Sequence, residues 1–177
     1  MGHHKRQNQP YHARPLVTAI LIDGGFYRRR AYSLFGDKTP DERATELATY
    51  SRRHILESRS SLYRIYYYDC PPSVRVLFHP LTQQQVNLAQ TDQFQWTHGF
   101  FEALTRKRKV ALRRGEELDT QSGYVLRGKP LKRLCRGEIR VEDLTEKDFN
   151  LEITQKGVDM RIGLDIASLA ERRIVNQ

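Results

Sequence analysis

Apolar residues run almost without a break from Leu16 to Ile22 and stop at Asp23-Gly24-Gly25. Such a run, rich in β-branched side chains and closed by turn residues, predicts a strand covered on both faces, at the centre of a parallel sheet. Phe26 to Leu34 suits a short helix closed by Gly36. Thr39-Pro40-Asp41-Glu42 then sets an N-cap, a first-turn proline and a capping-box glutamate in order. From there Ala44, Leu47, Ala48, Ser51 and Ile55 recur at helical spacing, so a second helix runs to Ser58. Leu62 to Tyr68 reads as another strand. Asp69 ends it ahead of Cys70-Pro71-Pro72, because two prolines continue neither a helix nor a ladder.

Thr91 or Asp92 can cap a third helix, with Phe94, Phe101 and Leu104 on one side and a cationic end, Arg106 to Lys109, that complements the helix dipole. Val110 to Arg113 follows as a short strand. Over residues 114–154 the pattern weakens, with Gly115, Gly123, Gly128 and Gly137 punctuating charged stretches. Short helices are expected there over Lys129 to Cys135 and Val141 to Phe149, as an irregular elaboration on the sheet. Asp159 precedes a last helix, Met160 to Arg173, in which Ile162, Ile166 and Leu169 share a side. Strand and helix alternate, which predicts an α/β fold: a three-layer parallel sheet flanked by helices over residues 16–177, behind a basic lead-in over residues 1–15.

Composition narrows the partners. The 177 residues match one domain, and 30 Lys and Arg against 21 Asp and Glu leave a net charge of +9, which favours anionic partners without specifying a fold. At 38% hydrophobic the chain is not disordered throughout. No apolar run approaches the roughly 18 residues of a membrane span, and no apolar segment follows the basic start, so a cytoplasmic protein without a membrane partner is expected. Cys70 and Cys135 form no CxxC pair, so two reduced, half-buried thiols are expected in place of a disulfide scaffold or zinc module. Neither GxGxxG nor GxxxxGK[ST] occurs, which leaves a nucleotide site unsupported.

Candidate chemistry lies in the acids at the strand ends. Open α/β sheets place their sites outside the carboxyl ends of the strands, where Asp23 and Asp69 both fall. Neighbouring carboxylates there can share a hard divalent cation, whose bound water can attack a phosphodiester. A third acid is Asp159, after Lys156-Gly157-Val158. Asp165 is rotated about 240° from it on an ideal helix and ranks below it. Plain readings stand beside these: Asp159 as a helix cap, Asp69 as a turn residue. A phosphoryl-accepting role for Asp23 lacks the second acid two residues on, where the chain has Gly25.

Three segments together resemble the bacterial NYN domains of the PIN-like nuclease superfamily: Ala19 to Phe26, Tyr63 to Pro72, and above all Gln155-Lys156-Gly157-Val158-Asp159 continuing to Ala170. The resemblance spans Leu16 to Arg173 and is looser in the middle. It implies an acidic pocket binding Mg²⁺ or Mn²⁺ and hydrolysis of RNA by metal-activated water. Asp23 and Asp159 match the principal acids, and Asp69 and Asp165 match acids frequent in the same motifs. Two departures qualify it. Phe26 stands where many members have Asn, and members continue into a further strand with a Gly-Asp-Ser-Asp-Phe-like motif, whereas this sequence ends at Ile174-Val175-Asn176-Gln177. In the family that strand pairs with the first one, so the resemblance implies an exposed apolar edge at Leu16 to Ile22, open to a strand-completing partner or to homo-oligomer formation.

Around such a pocket the phosphate-holding candidates are Arg28, Arg29, Arg30, Lys156 and Arg161, with Arg106 to Lys109, Arg113-Arg114 and Lys132-Arg133 extending the surface. Tyr66, Tyr67 and Tyr68 alternate sides of a strand and read as core packing. The expectation is a metal-dependent ribonuclease acting on single-stranded or structured RNA. The alternative is a catalytically incomplete RNA-binding or regulatory module of the same fold.

Overall fold

The computed structural model describes residues 16–116, 123–155 and 157–176. The lead-in expected over residues 1–15, and Lys156, lie outside the described residues. The strands are β1 (Val17–Asp23), β2 (Ser61–Asp69), β3 (Val76–Phe78), β4 (Gln85–Asn87), β5 (Val110–Arg114), β6 (Tyr124–Leu126) and β7 (Phe149–Leu151). The helices are α1 (Gly24–Phe35), α2 (Pro40–Glu57), α3 (Asp92–Thr105), α4 (Gly128–Cys135) and α5 (Val158–Glu171).

β1, β2 and β5 form a parallel sheet in the order β1-β2-β5. The fold is thus α/β, a three-stranded parallel sheet flanked by helices, and β2 is its centre. β1 lies at the edge, the position that the resemblance implied, which corrects the central position expected from its apolar run. Its continuous apolar run is still accounted for, because helices cover both faces: Ile20 and Ile22 pack toward α2 and α3, while Ala19 and Leu21 pack toward α5. The outer edge of β1 meets the end of the chain at its first residue. There the Val17 N–H donates to Asn176 Oδ1 at 2.6 Å and the Asn176 N–H to the Val17 carbonyl at 3.0 Å.

Alternation along β2 divides the core in two. Ile65 and Tyr67 join Leu47, Phe100 and Leu104 on one face; Tyr66 and Tyr68 join Val158 and Leu169 on the other. All three tyrosines are buried, as core packing requires. On the first face the single tryptophan, Trp96, stacks on Phe100 with centroids 5.1 Å apart, and its indole N–H donates to the Lys38 carbonyl at 2.9 Å. That bond fixes α3 to the turn between α1 and α2. α2 begins as its sequence predicts, with Thr39 and Glu42 forming a reciprocal capping box.

The two antiparallel ribbons, β3-β4 and β6-β7, have no counterpart in the sequence reading. His79, buried, holds them together: its ring lies 4.7 Å from Tyr124 and 5.2 Å from Phe149, centroid to centroid. The helix expected over Val141 to Phe149 is instead two 3₁₀ turns, Val141–Asp143 and Glu146–Asp148, running into β7. Asp143 and Asp148 each accept a backbone N–H three residues back, from Arg140 and Thr145 at 2.8 Å, so each short turn has its own capping box at its start and the two do not merge into one helix. Cys70 is fully buried and Cys135 exposed, so neither thiol is half-buried as expected. Among the described residues no helix is long and apolar enough to cross a membrane.

Candidate acidic site at the carboxyl edge of the sheet

β1 and β2 run parallel with Asp23 opposite Tyr68, so Asp23 and Asp69 end at the same edge of the sheet. Asp69 has no solvent-exposed surface and is surrounded by donors. Arg28 Nη2 straddles its two oxygens at 3.2 and 3.1 Å. Gln155 Nε2 and the Cys70 N–H donate to Oδ1 at 2.8 and 2.9 Å, and the Tyr67 hydroxyl donates to Oδ2 at 3.2 Å. Burial pushes the Asp69 carboxyl above its ordinary range, against the opposing pull of Arg28 and the hydrogen bonds. The same burial, with Asp69 alongside, raises the Tyr67 phenol well above its usual value and keeps it a donor.

Arg28 is itself held from a second side, with Nη1 donating to Thr97 Oγ1 of α3 at 3.4 Å, while its Nε is buried without a partner among the described residues. One carboxylate therefore joins α1, α3, β2 and the segment before α5. Gly24 makes the approach feasible: a Cβ there would lie 2.6 Å from both Asp69 Oδ2 and the Tyr67 hydroxyl. A Cβ on Gly25 would come 2.8 Å from Gln155 Oε1. The first turn of α1 and the segment before Asp159 thus approach each other beside Asp69.

The other acids differ in kind. Asp23 is the N-cap of α1, accepting the Phe26 N–H at 2.8 Å. Asp159 does not cap α5. Gly157 does, at φ 78°, a left-handed conformation suited to glycine, and Asp159 stands exposed in the first turn. Asp159 has no hydrogen-bond or ion-pair partner among the described residues. Asp165 accepts the Tyr68 hydroxyl at 2.8 Å and pairs with Arg113 Nε at 3.0 Å. The Arg113 guanidinium also lies 5.0 Å from the centre of the Tyr66 ring. Burial first, then the Asp165 bond, raises the Tyr68 phenol.

Asp69 bonds to Tyr67 and Asp165 to Tyr68, adjacent residues on opposite faces of β2, so these two carboxylates do not join in one cluster. Among the described residues no three His, Cys, Asp or Glu side chains are grouped to hold a metal ion. Of the four candidate acids, Asp23 and Asp159 are the two with no ion pair among the described residues, and they are the two that would be left to hold a divalent cation. That donor set fits a Mg²⁺- or Mn²⁺-type ion bound by one or two carboxylates and completed by water and substrate phosphate, and does not form a closed cage.

Of the arginines expected to hold phosphate, Arg28 is engaged by Asp69, Arg29 Nε bonds the Gly25 carbonyl at 3.2 Å, and Arg30 is exposed. Arg161 is exposed and lines a recess of about 110 Å³ with Arg113, Leu164 and Asp165. Lys156 lies outside the described residues. The sequence reading did not single out Gln155, Tyr67, Thr97 or Arg113 for these contacts. Gln155 and Tyr67 carried a signal as members of the resembling segments and Arg113 as part of a basic pair, whereas nothing in the sequence marked Thr97. No family model, curated protein or solved structure matches the chain.

Proposed function

We propose that the carboxyl edge of the sheet is the phosphodiester-cleaving site of an RNA-directed hydrolase of the NYN kind. The observation that carries this reading is the convergence of the first turns of α1 and the segment before Asp159 on buried Asp69, which brings the three resembling segments together. Asp23 and Asp159 would hold Mg²⁺ or Mn²⁺, which supplies an activated water and offsets charge on the phosphate. Asp69 acts differently from the role that the resemblance implies. Held by Arg28 and Gln155, it positions the two acidic segments relative to each other. Arg30 and Arg161, both exposed, are available to phosphates.

The test is cleavage of single-stranded RNA by the purified chain with Mn²⁺ or Mg²⁺. Asn caps a helix as well as Asp does, so Asp23→Asn removes the charge while preserving the start of α1. Metal-dependent cleavage that disappears in Asp23→Asn is the expected result; cleavage undiminished in that variant overturns the assignment. A second reading is favoured by the arginine pairing of Asp69 and Asp165: an RNA-binding module of the same fold with an incomplete acid set. It predicts salt-sensitive RNA binding with no metal-dependent turnover.

A further inference from the structure

Helix α4 carries a feature that the acidic edge does not use. Lys129, Lys132, Arg133 and Arg136 recur at three, four and seven residues along α4 and its C-cap. At 3.6 residues per turn they fall within about 100° of one another, with Leu131 and Leu134 on the opposite side. No residue of α4 is buried, and all four cations are exposed. Cations in a last turn complement the helix dipole, which accounts for Lys132, Arg133 and Arg136 but not for the alignment of Lys129 with them. Like charges at these spacings repel and weaken a helix, so the stripe is stabilised by an anion laid along it.

Nearby acids neutralise it only weakly. Glu138 lies 3.8 Å from Arg133 and 3.6 Å from Arg136, with all three side chains about half exposed or more. Asp143 and Asp148 accept the backbone N–H groups of Arg140 and Thr145, and Asp148, although also attracted to Arg133, is held chiefly by Thr145. The stripe is also tied to the acidic edge through the chain. The Arg127 N–H donates to the Asp148 carbonyl at 2.8 Å, and from Asp148 the chain runs through β7 to Gln155, which bonds Asp69. Seven residues reach at most about 25 Å, a span that a few nucleotides of single strand can bridge.

We infer that the basic face of α4 is a holding surface for the sugar-phosphate backbone of single-stranded RNA that also enters the acidic edge. The choice of RNA rests on the proposed function; the surface rests on α4 alone. Glutamine in place of all four cations, K129Q/K132Q/R133Q/R136Q, keeps helix propensity and removes the charge. A matched control, R52Q/R53Q/R59Q/R172Q, removes four exposed charges outside every candidate phosphate-holding group. Far-UV circular dichroism confirms that both variants fold.

With a 20-nucleotide RNA at about 0.1 M salt, the stripe variant is expected to bind at least about tenfold more weakly and the control within about twofold of the parent. The slope of log affinity against log salt falls by up to about 3 in the stripe variant, from about 0.7 per lost phosphate contact. Cys135, exposed on α4 about 110° from the stripe, accepts a benzophenone maleimide that should cross-link the RNA in the parent and not in the stripe variant.

Equal losses in the two variants, no cross-link, or a stripe needed for phosphatidylserine vesicles and not for RNA each overturn the inference. RNA binding through α4 without any cleavage refutes the hydrolytic reading and leaves this inference standing. Cleavage with an unchanged salt slope in the stripe variant does the reverse.

Discussion

Asp69 combines complete burial with four donors, and its titration should be visible in the stability of the chain. Burial raises its carboxyl above the ordinary 3.8, so between that value and its higher folded value the native state binds more protons than the unfolded state. Stability contributed by Asp69 is therefore full below the unfolded value and falls as pH rises through the folded one. Urea midpoints of the parent minus those of Asp69→Asn, measured from pH 3 to 7, should decline with pH; a flat difference would show that Asp69 titrates alike in both states. Arg28→Met leaves a buried carboxylate without its cation and should cost about 3–5 kcal/mol at pH 7, read by the same unfolding. Two adjacent glycines should respond unequally. The Cβ of Gly24→Ala meets the buried Asp69 and Tyr67 and should cost about 1–3 kcal/mol, whereas that of Gly25→Ala meets only the end of exposed Gln155 and should cost less. Equal costs would contradict the close approach at Gly24.

Among the elements, α2 was the most legible from sequence, because cap, proline, glutamate and apolar stripe all point to the same start and the same buried face. Thr39→Ala should therefore cost about 1 kcal/mol in thermal unfolding, and an unchanged midpoint would show that the box contributes nothing. β2 and β5 were legible for a similar reason, as apolar runs bounded by turns or charge. β1 was recognised as a strand but misplaced. An apolar run reports cover on both faces and carries no information on whether a neighbour pairs along each edge. The ribbons β3-β4 and β6-β7 escaped because strands of three residues are too short to show a period of two, and their partners are specified by ring contacts to His79 that no local pattern encodes. The start of α5 was displaced by two residues because the sequence reading began the helix at Met160 and offered Asp159 as one possible cap, whereas Gly157 takes it through its backbone conformation.

For the whole molecule, the edge at which acids would gather followed from strand direction alone, and Asp23 and Asp69 do end there. Their division of labour did not follow, since what a carboxylate meets depends on residues distant in sequence, as Arg28, 41 positions away, and Gln155, 86 away, show for Asp69. The charge of +9 is likewise a sum that conceals an arrangement: Arg28 and Arg113 are paired with buried or half-buried acids, while the cations of α4 face solvent. Trp96 gives this arrangement an optical readout. As the single tryptophan, fixed between Phe100 and the Lys38 carbonyl, it will emit according to the packing of α3 and remain insensitive to the charge state of α4. A fluorophore on exposed Cys135 responds to α4 instead, so one doubly reporting sample shows whether α3 and α4 unfold together or apart.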